Sequence, residues 1–324
     1  MSPLPRGWLG ALAAWIACAA CSPGEGGEAS APPPPDSEGA PFTASNAFWY
    51  YEDLEAATDF YTRTLGLRVA ADYGFAKILR IAETSYLTLV DEARGMHSAE
   101  EPKTVALALV TDQLDAWWTH LEGAGVEISH AYDPELGSAH DGFVAVDPEG
   151  YLLEFERFNP HPENERFLPL LDAAPTLSAS PQPAPAASAE LGFKATVLWL
   201  YYRDLDRMQR FWEDAIGLGM VADQGWTRIY RTSPTGFLGL VDETRGMHSF
   251  TEEKAVTVSL WTDRLDAWFA HARAGAFELR SDSIEAGDAR YRAFVGYDPE
   301  GYFLEFDRFL PHPDNEELPT VPEP

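Results

Sequence analysis

Apolar and polar residues alternate in short runs that are separated by helix-length segments, and this order occurs twice between residues 47 and 156. Residues 47–51 predict a strand, and apolar positions at helical spacing from Leu54 to Leu65 predict a helix. Asp53 is placed to cap that helix and Gly66 to end it. Further strands are predicted near 67–71, 76–81 and 86–90. A second βαβββ set has strands near 105–110, 126–129, 142–146 and 151–156, and a helix with four apolar residues on one face: Leu114, Trp117, Trp118 and Leu121.

The whole pattern then repeats. Residues 43–164 align with residues 194–315 at a constant offset of 151, without a gap. The turn-forming stretch Asp147-Pro148-Glu149-Gly150-Tyr151, for example, returns at 298–302. The sequence therefore predicts an α+β protein of two domains, 43–168 and 193–316, each built from two βαβββ modules.

The first 21 residues have the layout of an export signal, with Arg6 before an apolar stretch. Ala19-Ala20-Cys21-Ser22 resembles the lipobox of bacterial lipoproteins, which predicts lipidation of Cys21 and a location in the cell envelope, anchored to the outer membrane. Cys18 departs from that family, which prefers Leu there. Ordinary cleavage and no export are the alternatives. Residues 22–42 and 169–192 are predicted to be linkers rich in Pro, Ala and Ser, and residues 317–324 a loose tail.

The formal net charge of −29 argues against nucleic-acid binding, which requires a basic face. It equally disfavours docking on anionic lipids, so membrane contact is predicted through the lipid anchor alone. A small molecule is the expected partner, and the oligomeric state is left open.

Three motifs carry a resemblance to a known family. They are Tyr-x-Asp-Leu before the first helix, Leu-Gly-Leu after it, and Asp-Pro-x-Gly-x-x-x-Glu at the last strand. This order resembles the vicinal oxygen chelate superfamily, which includes glyoxalase I, extradiol dioxygenases and the fosfomycin- and bleomycin-resistance proteins. The resemblance implies curled mixed sheets that form cups, with helices outside. In catalytic members it implies a divalent metal on the cup floor.

The resemblance also places four candidate ligand positions in each repeat, but few of them hold residues that bind metal tightly. We call these positions slots, and no His lies within two residues of any of them. We therefore expect no metal cofactor, with Glu154 and Glu305 as the only candidates if one binds. The slots are Asn46, Thr88, Thr104 and Glu154 in the first repeat, and Val197, Gly239, Ala255 and Glu305 in the second.

The histidines outside these slots have competing interpretations. His97 and His248, in a repeated Arg-Gly-Met-His-Ser, are candidates for a ligand, a general base or a substrate contact. A role in fixing the loop is the favoured alternative. The histidines of the repeated Pro-His-Pro, His161 and His312, are expected to pack at the rim. The histidines on the second helix of each repeat, His120 and His271, are expected to be structural or solvated.

Strand alternation predicts which side chains line the cups. Facing the helices should be Leu153, Phe155, Leu304 and Phe306. Facing inward should be Asn46, Phe48, Tyr50, Leu152, Glu154 and Glu156 from the first repeat, and Val197, Trp199, Tyr201, Phe303, Glu305 and Asp307 from the second. Aromatic faces beside carboxylates suit flat or cationic organic ligands. Alternatively, the aromatics simply fill the space between the repeats.

Three functions remain open on these grounds. The favoured one is binding of a small aromatic or cationic molecule, using Asn46, Phe48, Tyr50, Trp199, Tyr201, Glu156 and Asp307, without a catalytic metal. The second is a metal-dependent enzyme of the glyoxalase (lyase) or dioxygenase (oxidoreductase) kind, with Glu154 or Glu305 as ligand or base, assisted by His97 or His248. The third is a structural envelope protein whose cups are filled.

Overall fold

A computed structural model describes residues 33–35, 41–182 and 190–321. The predicted signal segment with Cys21 lies outside these residues, as do most of the first linker and the end of the tail. Within these ranges no helix has the length and apolar character needed to cross a bilayer.

The first repeat contains the two predicted βαβββ modules. Each strand boundary lies within three residues of its prediction, and the strand at 105–110 has the predicted ends. The predicted first helix continues beyond α1 as a π-helical segment, Phe60–Thr64. Asp53 caps the first helix, as predicted, by accepting a hydrogen bond from the Ala56 N–H at 2.9 Å. Module 1 consists of β1 (Ala44–Tyr51), α1 (Leu54–Asp59), β2 (Arg68–Asp72), β3 (Ala76–Ala82) and β4 (Ser85–Asp91). Module 2 consists of β5 (Val105–Val110), α2 (Leu114–Ala124), β6 (Ile128–His130), β7 (His140–Val146) and β8 (Leu152–Phe158).

A short helix and two short strands connect the repeats: α3 (Leu168–Ala173), β9 (Leu177–Ser178) and β10 (Gly192–Phe193). The second repeat copies the first, with one additional short strand. Module 3 consists of β11 (Ala195–Tyr202), α4 (Leu205–Arg210), β12 (Gly219–Asp223), β13 (Thr227–Arg231) and β14 (Gly236–Asp242). Module 4 consists of β15 (Val256–Trp261), α5 (Leu265–Arg273), β16 (Glu278–Leu279), β17 (Glu285–Gly287), β18 (Tyr291–Tyr297) and β19 (Phe303–Phe309).

Each of the two large sheets combines one module from each repeat. Modules 1 and 4 form a nine-stranded sheet, in which β1 pairs with β15 and Asn46 lies opposite Ser259. Modules 2 and 3 form an eight-stranded sheet, in which β11 pairs with β5 and Val197 lies opposite Ala108. We call the inner face of the nine-stranded sheet the open cup and that of the eight-stranded sheet the closed cup. The four slots of one repeat therefore do not meet, contrary to the assignment of four ligands to each repeat.

Helices cover the opposite faces of the sheets, as the sequence predicts. The Trp117 ring of α2 lies 5.3 Å from Phe155 of β8, and the Trp268 ring of α5 lies 5.2 Å from Phe306 of β19. Leu153 joins the same buried cluster. Burial of this aromatic layer leaves the alternate residues of β8 and β19 to face the cups.

The repeated Asp-Pro-Glu-Gly-Tyr stretch ties the two repeats together. The Tyr151 hydroxyl accepts from the Tyr50 N–H (2.9 Å) and donates to the Ala255 carbonyl of the other repeat (2.6 Å). In the same way, the Tyr302 hydroxyl donates to the Thr104 carbonyl at 2.7 Å. Thr104 and Ala255, near which the third metal slot was placed, directly precede β5 and β15 and contribute backbone carbonyls to this contact.

Part of the predicted second linker is folded. Just before α3, the Phe167 ring packs edge-on against Phe158 and Phe237, at 4.7 Å from each. Phe167 and Leu171 are buried in the apolar cluster that fills the closed cup. The apolar residues at 167–171 have helical spacing, and their burial explains why this segment does not behave as a spacer.

Candidate functional site

A cavity of about 320 Å³ occupies the open cup, at the junction of the two repeats. Phe48 and Tyr50 line it from β1, as strand alternation predicts, and Glu305 and Asp307 line it from β19. The Tyr50 hydroxyl and the Thr257 hydroxyl of the other repeat are 2.7 Å apart. The remaining wall is largely aromatic and apolar, and includes Tyr73, Phe75, Ile78, Val90, Tyr291 and Phe309.

Two neighbouring carboxyl groups belong to the polar lining of this cavity, which also includes Glu285, Arg94 and Arg280. Glu305 and Asp307 lie on the same face of β19 and share a hydrogen bond. Burial raises the pKa of Asp307 to about 6, although hydrogen bonds from Ser259 and Glu305 partly offset it. Burial, followed by the charge of Asp307, raises the pKa of Glu305 well above its ordinary value. Both carboxyl groups therefore resist ionisation, and the pair favours a state that keeps one proton and one negative charge between them.

Below this pair, the slot residues Asn46 and Thr88 hydrogen-bond to each other, and Asn46 also contacts Ser259 of the other repeat. The Asn46 Nδ2 donates to Thr88 Oγ1 (2.9 Å) and to Ser259 Oγ (3.4 Å). Ser259 in turn donates to Asp307 Oδ2 at 2.7 Å. Asn46, Thr88 and Ser259 are each at most 4% exposed. These hydrogen bonds satisfy the polar atoms of the floor without any added group.

A divalent transition metal does not fit this donor set. Such a site needs several imidazole, thiolate or carboxylate ligands that converge on one point. The floor instead offers an amide and two hydroxyls that are already hydrogen-bonded. Across the part of the chain that the structure describes, no group of three or more His, Cys, Asp or Glu side chains is arranged to hold a metal ion.

Two arginines line the cavity mouth, and sequence reasoning missed both. The exposed Arg94 guanidinium lies over the Phe75 ring, 4.9 Å from its centroid. Arg280, also exposed, lies 5.1 Å from the Phe303 ring and donates to the Met96 Sδ of the other repeat (3.1 Å). The Arg280 contact crosses the junction between repeats, so no signal within one repeat could have indicated it.

The closed cup has equivalent parts but little space beside its tryptophan. The cavity next to Trp199 is about 100 Å³, and the Trp199 ring lies directly against the backbone of Gly239. Glu154 and Glu156 form the carboxyl pair of this cup, and they also border an open cleft of about 420 Å³ that residues from the segment 130–144 line. Burial raises the pKa of Glu154 to about 7, with a smaller opposing effect from the nearby Trp199 side chain. Burial and the charge of Glu154 raise the pKa of Glu156 well above its ordinary value, and one Glu156 oxygen is buried without a partner.

His97 and His248 lie beside the aromatic walls of the cups. The buried His97 ring packs against Tyr50 (5.0 Å) and Phe303 (4.3 Å), and its Nδ1 lies 2.7 Å from Glu101 in the same loop. His248 packs edge-on against Tyr201 at 5.0 Å. Burial lowers the pKa of both imidazoles. The Glu101 contact fits the loop-fixing interpretation of His97, because it joins two residues of one loop.

The remaining pairs of histidines have local structural contacts. The Nε2 of His120 lies 2.8 Å from the Thr64 carbonyl, and that of His271 lies 2.8 Å from the Ala215 carbonyl. Both rings are buried, so the structural interpretation holds and the solvated one does not. His161 and His312 accept backbone N–H groups, from residues 163 and 314, at the start of short helical turns.

Comparison with known proteins agrees with this architecture. Residues 46–155 match the family model of the Glyoxalase/Bleomycin resistance protein/Dioxygenase superfamily. The glyoxalase I structure from Zea mays superposes with a TM-score of 0.56 at 14% identity, covering 82% of this chain and 92% of that one. A putative dioxygenase from Bacillus subtilis subsp. subtilis str. 168 gives 0.58 at 14% identity, covering 87% and 92%. No curated protein matches the sequence. Residues 46–155 thus belong to the Glyoxalase/Bleomycin resistance protein/Dioxygenase superfamily, and the chain has the fold of the two solved structures.

Proposed function

We propose that the open cup binds a small, flat organic cation, without a catalytic metal. The observation that carries this proposal is the Glu305–Asp307 pair in an aromatic cavity of about 320 Å³. That volume is within the range of small-molecule pockets, which are mostly apolar with a few convergent polar groups. The chain's formal net charge of −29 adds a long-range attraction for cations.

The binding energy would come from two sources. Asp307 is 1% exposed, so its charge is poorly hydrated, and a ligand ammonium group that reaches the pair restores a counter-charge. Rings such as Phe48 and Tyr291 supply faces for stacking or cation–π contact, worth about 0.5–2 kcal/mol each. The guanidinium groups of Arg94 and Arg280 at the mouth favour a ligand whose positive end points inward and whose outer end is neutral or anionic.

Calorimetric titration with three ligands of similar shape tests this proposal: tryptamine, neutral 3-ethylindole and anionic indole-3-propionate. At about pH 8, where Asp307 is ionised, we expect the cation to bind with one site per chain and the anion not to bind. Asp307→Asn should weaken tryptamine about tenfold or more. Glu305→Gln is the matched comparison: its amide keeps a donor for Asp307, so it should weaken tryptamine less than Asp307→Asn does. Equal binding of all three ligands, or of none, contradicts the proposal.

A metal-dependent lyase or oxidoreductase is the rival, because the solved structures that share this fold include a glyoxalase I and a putative dioxygenase. In that case Glu305 in the open cup, or Glu154 in the closed cup, would act as ligand or base. The hydrogen-bonded floor argues against it, since its amide and hydroxyl groups are poor ligands for such a metal. Elemental analysis decides between the two: stoichiometric Fe, Mn, Ni or Zn with metal-dependent turnover would establish the rival.

We also propose that the protein is exported and attached to the membrane by a lipid on Cys21. The support is the charged, apolar and small-residue layout of residues 1–22. Metabolic labelling with a radioactive fatty acid should mark the parent protein and leave the Cys21→Ser variant unlabelled. Equal labelling of both would contradict the anchor.

A further inference from the structure

The two cups are built from corresponding residues, and each combines parts of both repeats. The offset of 151 carries Phe48 to Trp199, and Thr88 to Gly239. Phe48 faces the carboxyl pair of the second repeat in the open cup, and Trp199 faces the pair of the first repeat in the closed cup. A difference between the cups can therefore be traced to individual positions.

In the closed cup, a tryptophan side chain takes up the space next to the carboxyl pair, within the same apolar cluster as Phe167 and Leu171. A Cβ atom on Gly239 would lie 1.9 Å from Cε3 and 2.2 Å from Cζ3 of Trp199, so the indole rests directly on the glycine backbone. Trp199 is only 6% exposed, and its proximity partly lowers the pKa of Glu154. A flat aromatic group with an N–H donor thus lies beside a buried carboxyl pair.

The corresponding place in the open cup is blocked to a side chain of this kind. Thr88 replaces the glycine, is 1% exposed and accepts a hydrogen bond from Asn46 (2.9 Å). Phe48 replaces the tryptophan and lines the cavity. Beside Phe48 and Thr88 the cavity is about 320 Å³, whereas beside Trp199 it is about 100 Å³. The open cleft of about 420 Å³ that also borders Glu154 and Glu156 is not lined by Trp199.

We infer that the closed cup is a second ligand site that the chain's own Trp199 occupies. Its ligand class would be an indole-sized ring that bears an N–H or ammonium group directed at Glu154 and Glu156. For the nature of the ligand this inference rests on the proposed function of the open cup. The location rests on the Trp199–Gly239 contact alone. The pair at 48 and 88, or at 199 and 239, then determines whether a cup accepts a ligand.

Opening the closed cup tests the inference directly. Trp199→Gly should raise the number of tryptamine sites per chain from one to two, and the new site should prefer tryptamine to 3-ethylindole about tenfold. Adding Glu154→Gln should abolish that preference, so that the new cavity binds tryptamine and 3-ethylindole alike. A new site that binds both ligands equally, or no new site, overturns the inference. If the parent binds no tryptamine but Trp199→Gly gains one cation-selective site, the proposed function fails and the inference stands.

The reverse exchange fills the open cup. Phe48→Trp combined with Thr88→Gly should remove the parent's tryptamine site, whereas Gly219→Ala, at a position outside the cavity where a Cβ meets open space, should keep it. Circular dichroism and the unfolding midpoint establish that both variants are folded. Retained binding in the folded double variant contradicts the inference. If the double variant does not fold, the Trp199→Gly titration decides the question by itself.

Discussion

Replacing Asp307 by Asn should change stability in a way that depends on pH. Burial raises the pKa of Asp307 from 3.8 to about 6 in the folded protein. Each pKa unit corresponds to about 1.4 kcal/mol, so the carboxylate costs the folded state about 3 kcal/mol once it is ionised. The Asn side chain can still accept from Ser259 through its oxygen but carries no charge.

The sign follows from the raised pKa. Below about pH 4 the Asp307 carboxyl is protonated in both the folded and the unfolded state, so it does not lower the stability of the fold. As the pH rises, the unfolded chain ionises first and the folded state loses stability until the pH passes about 6. Relative to the parent, Asp307→Asn should therefore gain about 3 kcal/mol of unfolding free energy between about pH 4 and pH 7. Guanidinium unfolding at several pH values measures this gain.

Asp141→Asn is a control of opposite sign. Burial tends to raise the pKa of Asp141, but hydrogen bonds from Arg157, Asn159 and Ser138 outweigh it and hold the pKa below its ordinary value. That variant should lose stability relative to the parent as the pH rises from the acid range. If the Asp307→Asn difference stays constant from about pH 4 to pH 7, the carboxylate is not buried at a cost and the reasoning is refuted.

Two substitutions test the contact that fills the closed cup and the hydrogen bond that links the two repeats. Gly239→Ala should lower the unfolding free energy by about 1–3 kcal/mol, because its Cβ would lie 1.9 Å from the Trp199 ring. In a protein that already carries Trp199→Phe, most of this loss should disappear. Gly219→Ala, where a Cβ meets open space, should be nearly neutral, and denaturant midpoints compare the variants. Tyr151→Phe should cost about 1–3 kcal/mol, since it leaves the Ala255 carbonyl without the hydroxyl that it accepts from. An unchanged midpoint would show that this hydroxyl does not link the repeats.

Local features of the fold could be predicted because they depend on local chemistry. Alternation placed Phe48, Tyr50 and Glu305 on the cup face, and helical spacing placed Trp117 against the sheet. Asp53 capped its helix as its side chain and position suggest. Each of these predictions needs only the periodicity of one element.

Pairing between the repeats could not be predicted. The two repeats match without a gap, so β1 meets the same pattern of side chains whether its partner is β5 or β15. The cavity joins Phe48 to Asp307 only because β15 is chosen. The mouth contact of Arg280 depends on the same choice.

The difference between the cups was also hidden in the sequence. Gly239 was interpreted as a lost metal ligand, and Trp199 as one of several aromatics that line a cup. The contact between them reveals a glycine whose missing side chain makes room for an indole. Such a contact joins two neighbouring strands, and the pattern along either strand alone does not show it.

The most direct test of the central claim is calorimetric titration of tryptamine into the purified protein before and after dialysis against EDTA. We expect one site per chain, with the same affinity in both samples, and about a tenfold loss of affinity or more in Asp307→Asn. Binding that disappears with EDTA and returns with a transition metal, or that is unchanged in Asp307→Asn, would contradict it.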